Sequence, residues 1–113
     1  MSIPLPDDAA LTRAIASWLP AQRWFSAKNR VIHTVRIVQR ADLIQENNFV
    51  AEHVMVDVAF RGATDLRYQI PLGYRVRPVE SFADHALPLN GDVVAYDGLR
   101  DEVILARYLG ALA

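Results

Sequence analysis

The sequence predicts an α+β fold in a single domain: a helix, a short second helix, an antiparallel meander and a closing helix. Three observations predict it. Leu11, Ala14, Ile15, Trp18 and Leu19 recur at helical spacing near the start of the chain. Val50–Phe60 and Leu66–Arg75 alternate apolar and polar residues with a period of two. An apolar-rich stretch then follows the turn signal Asp97-Gly98. Helices set apart from the strands in this way place a helix across one face of a sheet of three to four strands.

Asp7 and Asp8 stand where a helix starting near Ala9 needs a cap. Pro20 stops that helix, because the residue before a proline avoids the α region. Proline also suits a first helical turn, so residues 20–27 read as a short second helix. In the first extended segment, Val31–Leu43, the residues Val31, His33, Val35 and Ile37 share one parity, opposite Arg36 and Arg40. Ile32 and Val38 break the pattern by falling on the polar side. Val54, Val56, Val58 and Phe60 point one way in the second, with His53, Met55, Asp57 and Ala59 on the other side. In the third, Leu66, Tyr68, Ile70, Leu72 and Tyr74 alternate with Arg67, Gln69, Pro71, Gly73 and Arg75. Such alternation fits an antiparallel sheet with one wet face. Residues 45–48 and 61–65 read as the hairpin loops. Pro71 lacks a ladder donor and marks an edge or a bulge.

Residues 76–91 read as loop with a helical turn at Glu80–His85, and Gly91–Tyr96 as one more short strand. Asp97 reads as the cap of a last helix from Leu99 to Leu112, with Asp101 and Glu102 in its first turn, where the dipole favours them. Leu99, Val103, Ala106, Leu109 and Leu112 form its apolar stripe.

The 113 residues make one domain, 1–113, and 52% apolar content is ample for a core. There is no cysteine, which removes disulfides, thiolate nucleophiles and cysteine metal sites and fits a reducing cytoplasm. The start of the sequence lacks the cationic and apolar runs of a signal peptide, and no apolar run approaches the ~20 residues that span a bilayer. A net charge of -1 argues against a nucleic-acid partner. Residues 1–42 nevertheless hold six basic side chains against three acidic ones, and the remainder six against ten.

No residue set identifies a reaction. Phosphate loops of the GxxxxGK[ST] and GxGxxG types are missing, as are protein-kinase signatures. His33, His53 and His85 lack metal-ligand spacing, and Ser2, Ser17, Ser26 and Ser81 lack a nucleophile context. Asp97, Asp101 and Glu102 are accounted for by capping and the helix dipole. Catalytic, cofactor-binding and metal residues are therefore assigned to none.

The densest feature is Trp18-Leu19-Pro20-Ala21-Gln22-Arg23-Trp24-Phe25-Ser26-Ala27-Lys28-Asn29-Arg30. Two readings of it stand side by side. Trp24 and Phe25 release ~2–3 kcal/mol each if buried, and so can anchor the helical corner onto this domain's own sheet. Alternatively Arg23, Trp24, Phe25, Lys28 and Arg30 face another domain or protein, since interface hot spots favour Trp and Arg.

This block resembles the start of actinobacterial maltokinases and related aminosugar kinases, whose cap domain opens with a similar W-L-x-x-Q-R-W-[FY] segment. Tyr68-Gln69-Ile70-Pro71-Leu72-Gly73-Tyr74-Arg75 looks like the family's third strand, and Ala95-Tyr96-Asp97-Gly98-Leu99-Arg100-Asp101 like its turn into the next helix. Order and spacing agree across nearly the whole chain. The resemblance implies a cystatin-like arrangement, a helix on a curved antiparallel sheet. It also implies a place ahead of a two-lobed kinase body that phosphorylates maltose or a related sugar with ATP and Mg2+, feeding α-glucan (glycogen) synthesis. Some members work with or are fused to trehalose synthase. Ser26-Ala27 depart from the glycine of many relatives. The phosphate loop, catalytic aspartate and metal ligands of the family fall beyond Ala113, so no catalytic residue carries over.

The expectation is thus a cytoplasmic, non-catalytic cap with an architectural, regulatory or docking role. Its partner would be the kinase N-lobe in cis or in trans, or trehalose synthase, with no nucleic acid, membrane or cofactor of its own. The competing expectation is a free-standing binding module that uses the sheet face or the Trp/Arg block.

Overall fold

In the computed structural model, residues 3–22, 25, 31–76, 86–88 and 93–112 are described. Helix α1 (Asp8–Trp18) begins as expected: the Asp7 carboxylate accepts the Ala10 N–H at 2.8 Å. A single 3-10 turn, Leu19–Ala21, follows with Pro20 in its first half, and Gln22 is already extended. The expected second helix over 20–27 is therefore only this turn up to Gln22.

Strands β1 (Ile32–Glu46), β2 (Phe49–Phe60), β3 (Ala63–Val76) and β4 (Val93–Asp97) form one antiparallel sheet in sequence order. Both long hairpins are tighter than the sequence indicates, with only Asn47-Asn48 and Arg61-Gly62 outside the strands. Gly62 carries the positive φ of 70° that the second turn requires, a region glycine enters without a Cβ clash. Pro71 pairs with His53 of β2, while β4 joins β3 only from Leu72 onward. Pro71 thus sits where that side of β3 is still an edge, as its missing donor demands. The helical turn expected at Glu80–His85 lies outside the described residues.

In β2 and β3 the alternation of the sequence is the alternation of the sheet. Val54, Val56, Val58, Phe60, Ile70, Leu72 and Tyr74 join Leu11, Ala14, Ile15, Trp18 and Leu19 of the α1 side in the main core. In β1 it is not, because three register shifts interrupt the pairing, between Ile32/Thr34, Ile37/Gln39 and Asp42/Ile44. Each extra residue reverses the parity that follows. Ile32, Val35 and Ile37 reach the core side, His33 and Val38 are left exposed at the shifts, and Val31 is exposed ahead of the strand. Arg36 and Arg40, expected on one polar side, lie on opposite faces, since Arg36 pairs with Asp57 and Arg40 with Val54.

The other sheet face is covered at one end by α2 (Glu102–Leu112), whose Ile104 joins Ile44, Phe49, Ala51, Val94 and Tyr96 in a second core. The sheet therefore carries a helix on each face, and its second face is wet only beyond α2, around Arg36, Asp57 and Arg67. Asp97 caps the 3-10 turn Gly98–Arg100 instead of the helix. Asp101, one residue before α2, accepts the Val103 N–H at 3.0 Å and takes the capping role. The apolar stripe expected on α2 is corrected as well. Ile104 is buried and Leu105 and Tyr108 are half-buried, whereas Leu99, Val103 and Leu109 are 42%, 55% and 58% exposed.

Candidate functional site

The tryptophan-rich corner is partly visible. Trp18 ends α1 inside the core, and the buried Gln22 amide returns to the Trp18 carbonyl at 3.0 Å. The Phe25 N–H then donates to Gln22 O at 3.1 Å, which sets the turn that delivers Phe25. Phe25 is buried, with its ring 5.3 Å from Tyr68 and 6.3 Å from Phe60. Such tilted ring pairs add to simple burial. Arg23, Trp24, Lys28 and Arg30 lie outside the described residues.

Two buried polar networks, neither singled out in the sequence, fix where the helices sit. In the first, Glu52 of β2 is buried. Arg40 donates to both its oxygens, Nε to Oε1 at 2.8 Å and Nη2 to Oε2 at 2.7 Å, and Tyr74 donates to Oε2 at 2.5 Å. The same guanidinium reaches the Pro6 carbonyl and the Asp8 carboxylate, both at 2.9 Å, and so ties the entry of α1 to the sheet. The bond to Glu52 pushes the Arg40 pKa up. Burial, with Glu52 alongside, raises that of the Tyr74 phenol. Arg40 and Tyr74 are thereby held in one protonation state each.

The second network stands at the start of α2. Tyr96 donates to Asp101 Oδ2 at 2.6 Å and accepts from Arg75 Nε at 2.9 Å, while Arg75 Nη2 meets the same Oδ2 at 3.0 Å. Arg75 also lies over the Phe49 ring, 3.8 Å from its centroid. Burial alone would raise the Asp101 carboxyl. The hydrogen bonds from Tyr96, Arg75 and the Val103 N–H outweigh it and hold the group below its ordinary value. A sequence signal for the first network existed: Glu52 shares the parity of Val50, Val54 and Val56, so a carboxylate falls on the core side. A buried carboxylate needs partners of this kind.

The model of the maltokinase N-terminal cap domain matches residues 18–101, most of the chain, including all four strands, Phe25 and the second network. The chain belongs to that family.

Among the described residues of the cap no three His, Asp or Glu side chains converge to hold a metal ion. Of the buried carboxylates among these residues, Glu52 and Asp101 are taken up by Arg and Tyr partners, and Asp97 accepts the Leu99 N–H. A cavity of about 520 Å³ lies between Pro4, Pro6, Arg13 and Ser17 on one side and Pro88 and Val93 on the other. It presents one guanidinium and one hydroxyl, but neither a carboxylate nor a histidine. No described helix of the cap is long and apolar enough to cross a membrane. What it does present is surface: the outward side of α2 and the open half of the sheet.

Proposed function

We propose that this chain is the non-catalytic cap of a maltokinase-like sugar kinase, with an architectural or regulatory role. On this reading ATP-dependent phosphorylation of maltose or a related sugar belongs to the kinase body. The cap's part is to pack against the kinase N-lobe, in cis or in trans, limit lobe motion or dock a partner such as trehalose synthase. The observation that carries the reading is the family match over residues 18–101. Two buried acids support it by serving the fold: Glu52, through Arg40, anchors α1, and Asp101 anchors α2.

The reading makes a plain demand on purified protein. The chain alone should turn over neither ATP nor maltose, and removing the cap from the kinase that carries it should change stability, assembly or kinetics. Sugar phosphate formed by the chain alone would overturn it. So would a cap-deleted kinase with unchanged melting temperature, oligomeric state, kcat and KM.

A further inference from the structure

Helix α2 is apolar nearly all round. Of its 11 residues only Glu102 and Arg107 are charged. Glu102 occupies the first turn, where the helix dipole holds it, and Arg107 turns back to the Leu43 carbonyl at 3.3 Å. Ile104 fills the second core, and Tyr108 lies against His53, with ring centroids 5.4 Å apart. The opposite side, Val103, Ala106, Leu109 and Gly110, is exposed. A helix without a polar face is the kind that proteins bury on both sides. The exposed charges, Glu102 and Arg107, stand at the margins of this side, so the complementary surface is apolar at its centre, over Val103, Ala106 and Leu109.

We infer that the outward face of α2, built on Val103, Ala106 and Leu109, is where the cap docks on the kinase body of its own chain. The inference rests on the cap reading above. Two observations select that occupant. The matched cap sequence ends at Asp101, one residue before α2, and the family's cap is by description N-terminal, so α2 leads from the cap toward the body. Asp101 itself is clamped by Tyr96 and Arg75, which fixes the direction in which α2 leaves the sheet. The outward face is thus held rigidly at the junction. A docking element placed there needs no further ordering, and this favours binding.

The test uses thiol protection in the complete kinase. The chain has no cysteine, so Leu109→Cys and, as control, Val38→Cys on β1 each add a single thiol to it, followed by peptide mass spectrometry. Docking should slow alkylation of the Leu109 site about tenfold or more relative to the 113-residue chain alone, and leave the Val38 site unchanged. Equal rates at the Leu109 site overturn the inference. If cap deletion still alters the kinase in that case, the cap reading stands without it. Sedimentation of the chain alone provides a second arm: a dimer abolished by V103K/L109K would assign the face to a second copy and overturn the proposed occupant. V103K/L109K should leave the isolated chain folded, because both side chains are exposed.

Discussion

Tyr74 donates its phenolic hydrogen to Glu52 at 2.5 Å, across the β2–β3 pair and inside the core. Glu52 is thereby shared between a tyrosine from one neighbouring strand and the Arg40 guanidinium from the other. Through Arg40 the same carboxylate holds Asp8 and the Pro6 carbonyl. The angle at which α1 meets the sheet is thus set by one buried acid.

Removing that acid should cost more than removing either of the smaller contacts. Glu52→Ala leaves the Arg40 charge without its main partner and should lose about 3–5 kcal/mol. Tyr74→Phe leaves the Arg40–Glu52 pair intact and should lose about 1.5–3 kcal/mol, the value of a hydrogen bond to a charged group. Asp8→Ala, at the exposed end, should fall within about 1 kcal/mol of the parent. Urea denaturation orders the three. A Glu52→Ala variant as stable as Tyr74→Phe would mean that Arg40 re-solvates freely.

Two glycines should respond with opposite sign to the same change. An added Cβ at Gly73 would lie 2.5 Å from Ile104 Cδ1 and 2.5 Å from the Tyr96 ring, both fixed in the second core. Gly73→Ala should therefore destabilise by about 1–3 kcal/mol through overpacking. Nothing lies within 4 Å of a Cβ at Gly110, on the outward side of α2. Gly110→Ala should stabilise the isolated chain by about 0.5–1 kcal/mol through helix propensity. Thermal melts of the two variants read the difference directly. A stabilised Gly73→Ala would show that α2 shifts easily on the sheet.

The Phe25 ring is buried between Phe60 and Tyr68, at the sheet end remote from α2. Phe25→Ala should lose about 3–5 kcal/mol, the cost of deleting a buried aromatic ring. Val31→Ala, a few residues on and exposed, should change stability by less than about 0.5 kcal/mol. Chemical denaturation decides between them. A Phe25→Ala loss below that of Val31→Ala would show the ring to be idle in the fold.

Much of this was legible in the residues. The parity of Val54, Val56 and Val58 needed only an uninterrupted ladder, and β2 and β3 supply one as far as Val58, their register shift falling between Val58 and Phe60. The β1 pattern failed because the shifts near His33, Val38 and Leu43 are choices of pairing, made by the partner strand. The same shift that exposes Val38 turns Arg40 inward to Glu52, so the first network was hidden by the bulge that creates it. On α2, periodicity singled out the stripe Leu99, Val103, Ala106, Leu109 and Leu112, yet the other side, with Ile104, is apolar too. Which one meets the sheet is decided by Gly73 and Tyr96, which accept Ile104. The corner residues Arg23, Trp24, Lys28 and Arg30 keep both of their sequence readings.

Stability should fall at both ends of the pH scale, for reasons located at the foot of α2. Asp101 titrates below its ordinary 3.8 in the folded chain. Its stabilisation is then complete above that value and is lost as pH falls through the folded pKa. Tyr96 is displaced the other way, above its ordinary 10.0, by burial and by the bond to Asp101. Its contribution is present below pH 10.0 and is lost as pH rises toward the folded value. Tyr74, raised by burial and by Glu52, adds to the alkaline limb. Asp57, lowered by Arg67, adds to the acid limb, but its arginine partners are exposed and its share should shrink with salt. Asp101→Asn should therefore lower stability at neutral pH and flatten the acid limb. Tyr96→Phe should flatten the alkaline one. Urea midpoints measured from about pH 2 to 11 test both. An acid limb as steep in Asp101→Asn as in the parent would place the decisive proton elsewhere.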